Sequence, residues 1–169
     1  AREAGALATL PIALSYRAAV HVHAGEFATA SSLIQEAAAI AEATGNAPLR
    51  YTSLALAAWR GAEVPAVRLI QASVREATNR GEGRALGLAG YATAVLYNGL
   101  GRYDAALDGA RRACDHDDLG FFGWSLVELI EAAARSGAHD EAAGALRLLE
   151  ERARAACTDW ALGTLARSS

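Results

Sequence analysis

The sequence has no lysine and no methionine, and only three prolines and two cysteines among 169 residues. Each scarcity excludes something. Without lysine there is no G-x-x-x-x-G-K-[ST] phosphate loop, so P-loop ATP hydrolysis is not carried by this chain. The 16 basic residues are all arginine and the net charge is −3, which argues against the chain itself gripping a nucleic-acid backbone. Cys114 and Cys157 are far apart and form no metal-ligand spacing, so a reduced, cytoplasmic protein is expected. No uncharged apolar stretch of about 18 residues occurs, and no membrane span is expected. Because methionine is missing altogether, we read the chain as a piece of a longer protein.

What remains is rich in alanine, the strongest helix former. Hydrophobic residues make up 53% and charged residues 21%, a globular composition rather than a disordered one. With so few prolines to interrupt, an all-α chain follows before any periodicity is considered.

The stretch Tyr97–Ala113 shows how the helices connect. A helical pattern arrives at Tyr97, stops at Gly101 and restarts with Tyr103, Ala106 and Ala113. Glycine ends a helix in the left-handed conformation, and Asp104 then suits the positive end of the next helix. This reads as an αα-hairpin. The same turn recurs at Gly25, Gly61 and Gly137, so the four turn glycines lie 36, 40 and 36 residues apart. Five residues past each stands Ala30, Ala66, Ala106 or Ala142, small enough to let two helices approach closely. The hairpins are expected at about Gly5–Ala24 with Phe27–Ala43, Pro48–Arg60 with Glu63–Asn79, Arg84–Leu100 with Tyr103–His116, and Phe121–Ser136 with His139–Ala156. A ninth helix, at about 159–167, opens after Thr158 or Asp159 as cap, and either leaves Trp160 partly unsheltered or uses it as a C-terminal cap. Pro11 marks either a helix start or a kink.

A helix–turn–helix period of 36 to 40 residues points to an α-solenoid over residues 1–169, with repeats at about 5–44, 48–79, 84–116 and 121–156. Tyr97, Gly101, Tyr103, Ala106 and Ala113 resemble the tetratricopeptide consensus, as do Ala18, Gly25, Phe27, Ala30 and Ala37. Glu63 and His139 replace the aromatic after the turn in repeats two and four.

A closer resemblance spans the chain. The runs A-G-E-F-A, A-T-G-N-A-P, A-A-W-R-G, V-L-Y-N-G-L-G-R-Y-D-A-A-L, A-C-D-H-D-D-L-G-F-F-G-W-S-L-V-E-L-I-E-A-A and T-D-W-A-L-G look like the central helical-repeat region of large LuxR-family, MalT-like, ATP-dependent regulators of actinobacteria. That resemblance implies an ATPase and a DNA-binding helix-turn-helix elsewhere in a parent chain. It also implies a non-catalytic sensor or scaffold here, taking a protein or small-molecule effector. A generic tetratricopeptide-like adaptor for peptide segments is the alternative. Contact with the parent regulator's other domains and self-association are further expectations, without direct contact to nucleic acid or membrane.

In a solenoid of this type the first helix of each pair faces the concave groove. Counted from each turn glycine, the groove residues are His23, Tyr51, Trp59, Tyr91, Asn98, Trp124, Glu131 and Arg135. Aromatics with a few polar groups suit a peptide or apolar effector. The competing reading makes Tyr51, Trp59, Tyr91 and Trp124 packing residues between hairpins. His21 and His23 fall on different faces of one helix, which disfavours a shared metal. His116, Asp117 and Asp118 read as a helix end and cap, and Asp140 and Glu141 as first-turn charges. Glu128 and Glu131 share a helix face and read as solvated or groove-lining. Gly81, Gly83, Gly87 and Gly90 follow no strand and form no dinucleotide motif. Cys114 reads as a small buried group. No catalytic residue, cofactor or metal site is assigned.

Overall fold

The computed structural model describes residues 9–115 and 122–169. Among the described residues there are nine helices and no strand. They are α1 (Leu10–His23), α2 (Phe27–Ala43), α3 (Tyr51–Trp59), α4 (Glu63–Arg80), α5 (Gly83–Gly99), α6 (Tyr103–Cys114), α7 (Phe122–Ser136), α8 (His139–Ala156) and α9 (Asp159–Ser168). Their contacts divide the chain into two compact units, Ala1–Ala66 and Val67–Ser169, with the division inside α4. The sequence predicts one continuous α-solenoid over residues 1–169.

In the first unit α1 and α2 form a hairpin and α3 packs on both. Pro11 stands in the first turn of α1, where its missing N–H loses no helical bond. Val22, Ala30 and Leu56 form the core, with Phe27, Ile34 and Trp59 around it. The buried Thr52 hydroxyl donates to the Ser15 carbonyl at 3.0 Å and ties α3 to α1. One boundary departs from expectation: α3 starts at Tyr51, three residues beyond Pro48. Asn46, two residues before Pro48, belongs to the close of α2. Its N–H donates to the Ala41 carbonyl at 2.8 Å and its side-chain amide to Thr44 Oγ1 at 3.0 Å.

In the second unit α5 pairs with α6 and α7 with α8, while α7 lies against both helices of the preceding pair. The core runs from Ala94, Ala106 and Ala110 to Leu126, Ile130 and Leu149. The helix α9 packs on α8 and α7, and its cap is Thr158, whose hydroxyl accepts from the Ala161 N–H at 3.2 Å. The expected break at His116-Asp117-Asp118-Leu119-Gly120, and Phe121 after it, lie outside the described residues.

The hairpin turns are closed by local backbone chemistry. Gly25, Gly61, Gly101 and Gly137 all adopt left-handed φ, from 68° to 83°. At Gly101 the next N–H, that of Arg102, reaches back to the Tyr97 carbonyl at 2.8 Å, and the Gly101 N–H reaches Asn98 O at 3.1 Å. These two bonds satisfy carbonyls that the helix end would leave open. Of the four alanines five residues on, Ala30, Ala66 and Ala106 are fully buried, and Ala142 is half-buried.

The α5–α6 hairpin is held tighter than its turn requires. A Cβ on Gly90 would stand 2.8 Å from Ala113 N and from Gly109 O, and one on Gly109 would stand 2.9 Å from Ala94 N. The two helices therefore touch backbone to backbone. Mid-helix glycine costs about 0.5–1 kcal/mol relative to alanine, but overpacking a closed contact costs about 1–3 kcal/mol. The contact term is larger, so glycine is the stabilising residue here.

Two urea-unfolding measurements follow. Gly90→Ala should lower stability by about 1–2 kcal/mol, the overpacking cost less the propensity gain. Gly101→Ala should lower it by about 1 kcal/mol because the left-handed conformation penalises a Cβ. Gly99→Ala is the control, since it has open space around it and no positive φ; it should be neutral or stabilising.

Candidate functional site

The eight residues expected in the groove fall into both units. In the first, His23 on α1 meets Trp59 on α3 edge-to-face, with ring centroids 5.9 Å apart. Burial lowers the His23 pKa below its ordinary value, so its ring is neutral at physiological pH. Trp59 and Tyr51 are half-buried. Trp59 Nε1 is buried with no acceptor among the described residues. These contacts are those of packing between α1 and α3. The neighbouring His21 is occupied otherwise: its Nδ1 lies 2.6 Å from Glu26 Oε2. Among the described residues no three His, Cys, Asp or Glu side chains form a group that could hold a metal ion.

In the second unit the helices that lead into turns, α5 and α7, lie side by side, and α9 continues the row against α7. An aromatic ladder crosses them. Tyr91 on α5 and Trp124 on α7 have ring centroids 6.2 Å apart, and Trp124 and Trp160 on α9 are 6.4 Å apart, edge-to-face. Exposure rises along it: Tyr91 is 1% exposed and Trp160 57%. Tyr91 is therefore corrected to a core residue. It lies on the side of α5 covered by neighbours, and α5 is buried almost all round, from Ala85 to Leu96.

Asn98 and Glu128 form a polar link between α5 and α7. The Asn98 amide donates to Glu128 Oε2 at 2.9 Å and to the Glu128 carbonyl at 3.1 Å. Glu128 is only 6% exposed, so the expectation of a solvated or groove-lining carboxylate is corrected. Burial raises its pKa, and Glu131 adds to the rise. The Asn98 hydrogen bond and the Arg167 charge act in the opposite direction. Asn98 Oδ1 is buried with no donor among the described residues. The link is thus half satisfied while Glu128 is ionised, because a carboxylate only accepts.

Glu131 and Arg135 reach a small cleft of about 290 Å³ between α7 and the end of α9. Val127, Ile130 and Ala134 form its apolar wall, and Arg167 and Ser168 face them. Arg167 Nη2 stands 3.6 Å from Glu131 Oε2, and the Arg135 guanidinium lies over the Tyr103 ring at 5.8 Å. The cleft thus offers one carboxylate and two guanidinium groups beside an apolar surface. Its α9 members were not anticipated, since nothing in the sequence says which residues of a ninth helix return to α7.

Outside this face, the first-turn acid Glu141 forms a two-pronged ion pair with Arg111, at 3.0 and 2.7 Å, joining α8 to α6. The Arg111 hydrogen bond lowers the Glu141 pKa. Cys114 is half-buried, and burial, with Asp115 and Glu141 adding, pushes its thiol up to about 12. It is protonated and unreactive at neutral pH. No helix among the described residues is long and apolar enough to cross a membrane. Comparison with protein-family models, curated proteins and solved structures finds no match to this chain.

The buried Glu128 has a consequence for stability against pH. A carboxyl whose folded pKa lies above its unfolded one holds its proton first in the folded state. Its contribution therefore favours folding in acid and is lost as pH rises through the folded value. Glu128→Gln keeps an acceptor for Asn98 and adds a donor for the open Oδ1. It should raise the thermal midpoint at pH 7, with the gain over wild type shrinking as pH falls through the raised folded value and closed below the ordinary carboxyl value of 4.5. Thermal melts by circular dichroism across pH 3.5–8 read this directly, and a gain that grows in acid contradicts it.

Proposed function

We propose that this chain is a non-catalytic interaction scaffold, a tetratricopeptide-like α-solenoid segment that senses an effector or partner on the face of its first helices. The observation that carries this reading is the α5–α7–α9 row. Its aromatic ladder opens toward solvent at Trp160, and Glu131, Arg135 and Arg167 stand beside an apolar wall. Such a surface suits ligand recognition, in which aromatics supply contact area and a few charges supply orientation. The repeated glycine turns and the α5–α6 and α7–α8 hairpins support a solenoid, because each hairpin buries its apolar face against its neighbour.

The regulatory context rests on resemblance alone: the sequence runs quoted above look like those of the repeat region of LuxR-type regulators. In that setting the repeats act by population shift. A ligand that prefers one packing of the helices favours it by its differential affinity and so alters what adjoining domains can do. The polar link at Glu128 is a joint where two packings would differ, since the half-satisfied Asn98 sits between α5 and α7.

Tryptophan fluorescence tests the reading, because Trp124 and Trp160 border the face. A screen of metabolites and short peptides should yield a binder that changes the emission. The paired substitution Glu131→Ala with Arg135→Ala should weaken that binder by about tenfold or more, as loss of a charged anchor does. A peptide as the only class of binder would favour the adaptor alternative. Retention of promoter DNA by this chain alone at moderate salt would contradict the proposal.

A further inference from the structure

A second recess lies on the other side of α5, among α4 from Val67 onward, α5 and the end of α6, and holds about 590 Å³. Its α4 wall is the apolar stripe Val67, Ile70 and Val74, at helical spacing. Opposite, α5 presents Leu86 and then the small residues Ala89, Gly90 and Thr93. The small side chains of Ala89 and Thr93 leave the space open.

The charges of this recess are Arg75 on α4, Arg112 on α6 and Asp115 just after α6. Both arginines are exposed, and neither has an ion-pair partner among the described residues. The balance is one net positive charge beside an apolar trough.

We infer that this recess binds a small amphipathic carboxylate, its hydrocarbon part on Val67, Ile70 and Val74 and its carboxylate between the Arg75 and Arg112 guanidinium groups. The charge complementarity selects the head group. A guanidinium fork matches a planar carboxylate, while Asp115 disfavours a doubly charged phosphate. The volume selects a small molecule, since about 300–1,000 Å³ is the usual range for such sites. The inference is independent of the first-helix face.

Calorimetric titration of the whole chain with octanoate, 1-octanol and octylamine, equal in chain length and different in head group, is the test. Octanoate should bind at least about tenfold tighter than octanol, as a charge-assisted pair implies, and octylamine should bind no better than octanol. Arg75→Gln with Arg112→Gln should reduce octanoate to the octanol level and leave octanol unchanged. Val74→Trp, at a position 37% exposed, should block octanoate and octanol alike while circular dichroism shows unchanged helicity. The inference is overturned if octanoate binds no tighter than octanol, if the paired arginine variant keeps full octanoate affinity, or if Val74→Trp still binds both.

Discussion

The backbone contact between α5 and α6 is the constraint on which the second unit depends. Gly90 and Gly109 face each other so closely that no Cβ fits at either position. With the helices this near, Ala94, Ala106, Ala110 and Ala113 are fully buried by methyl groups alone, and dispersion contacts that a wider spacing would forfeit are made. A core of alanines works only at such separations. The leucines and isoleucine that fill ordinary cores are concentrated on α7, which four helices, α5, α6, α8 and α9, surround.

Burying α5 on nearly every side has a second effect. It leaves the helix few ways to hold direction against α7, and the polar link Asn98–Glu128 supplies one. A buried carboxylate is a poor source of stability, because its desolvation opposes its hydrogen bonds. What it adds is register: only one alignment of α5 and α7 lets the Asn98 amide reach both the carbonyl and the carboxylate of the same residue. The Tyr91–Trp124–Trp160 ladder lies on the same three helices and opens toward solvent at α9. The apolar recess occupies the opposite side of α5, so one buried helix serves as the wall for two separate surfaces.

Of the candidate site, the sequence showed the aromatic positions but not their exposure. Counting from the turn glycine assigned Tyr91 and Trp124 to one groove, yet Tyr91 is core and Trp124 is half-buried. The difference arises because a fixed offset from a turn specifies where a residue lies along a helix, whereas exposure depends on how many helices surround it. Glu128 and Glu131 show the same limit. Three residues apart on one face, they look alike in the sequence, but Glu128 falls beneath α5 and Glu131 at the rim of the cleft. The role of Gly90 was hidden for the same reason, since its meaning lies in what Gly109 brings against it.

The sequence by itself determined the local events: all-α structure, the left-handed turns at Gly25, Gly61, Gly101 and Gly137, a cap at Thr158 or Asp159, of which the structure uses Thr158, and most helix boundaries. These follow from forces acting within a few residues, such as the absence of a Cβ or the reach of one hydroxyl. Only the tertiary structure decided that α5 and α6 meet backbone to backbone, that Glu128 is buried against Asn98, and that Arg75 and Arg112 border one recess. Those facts join residues tens of positions apart, and the free energy that joins them comes from area removed from water when helices pack, which no short stretch of chain contains.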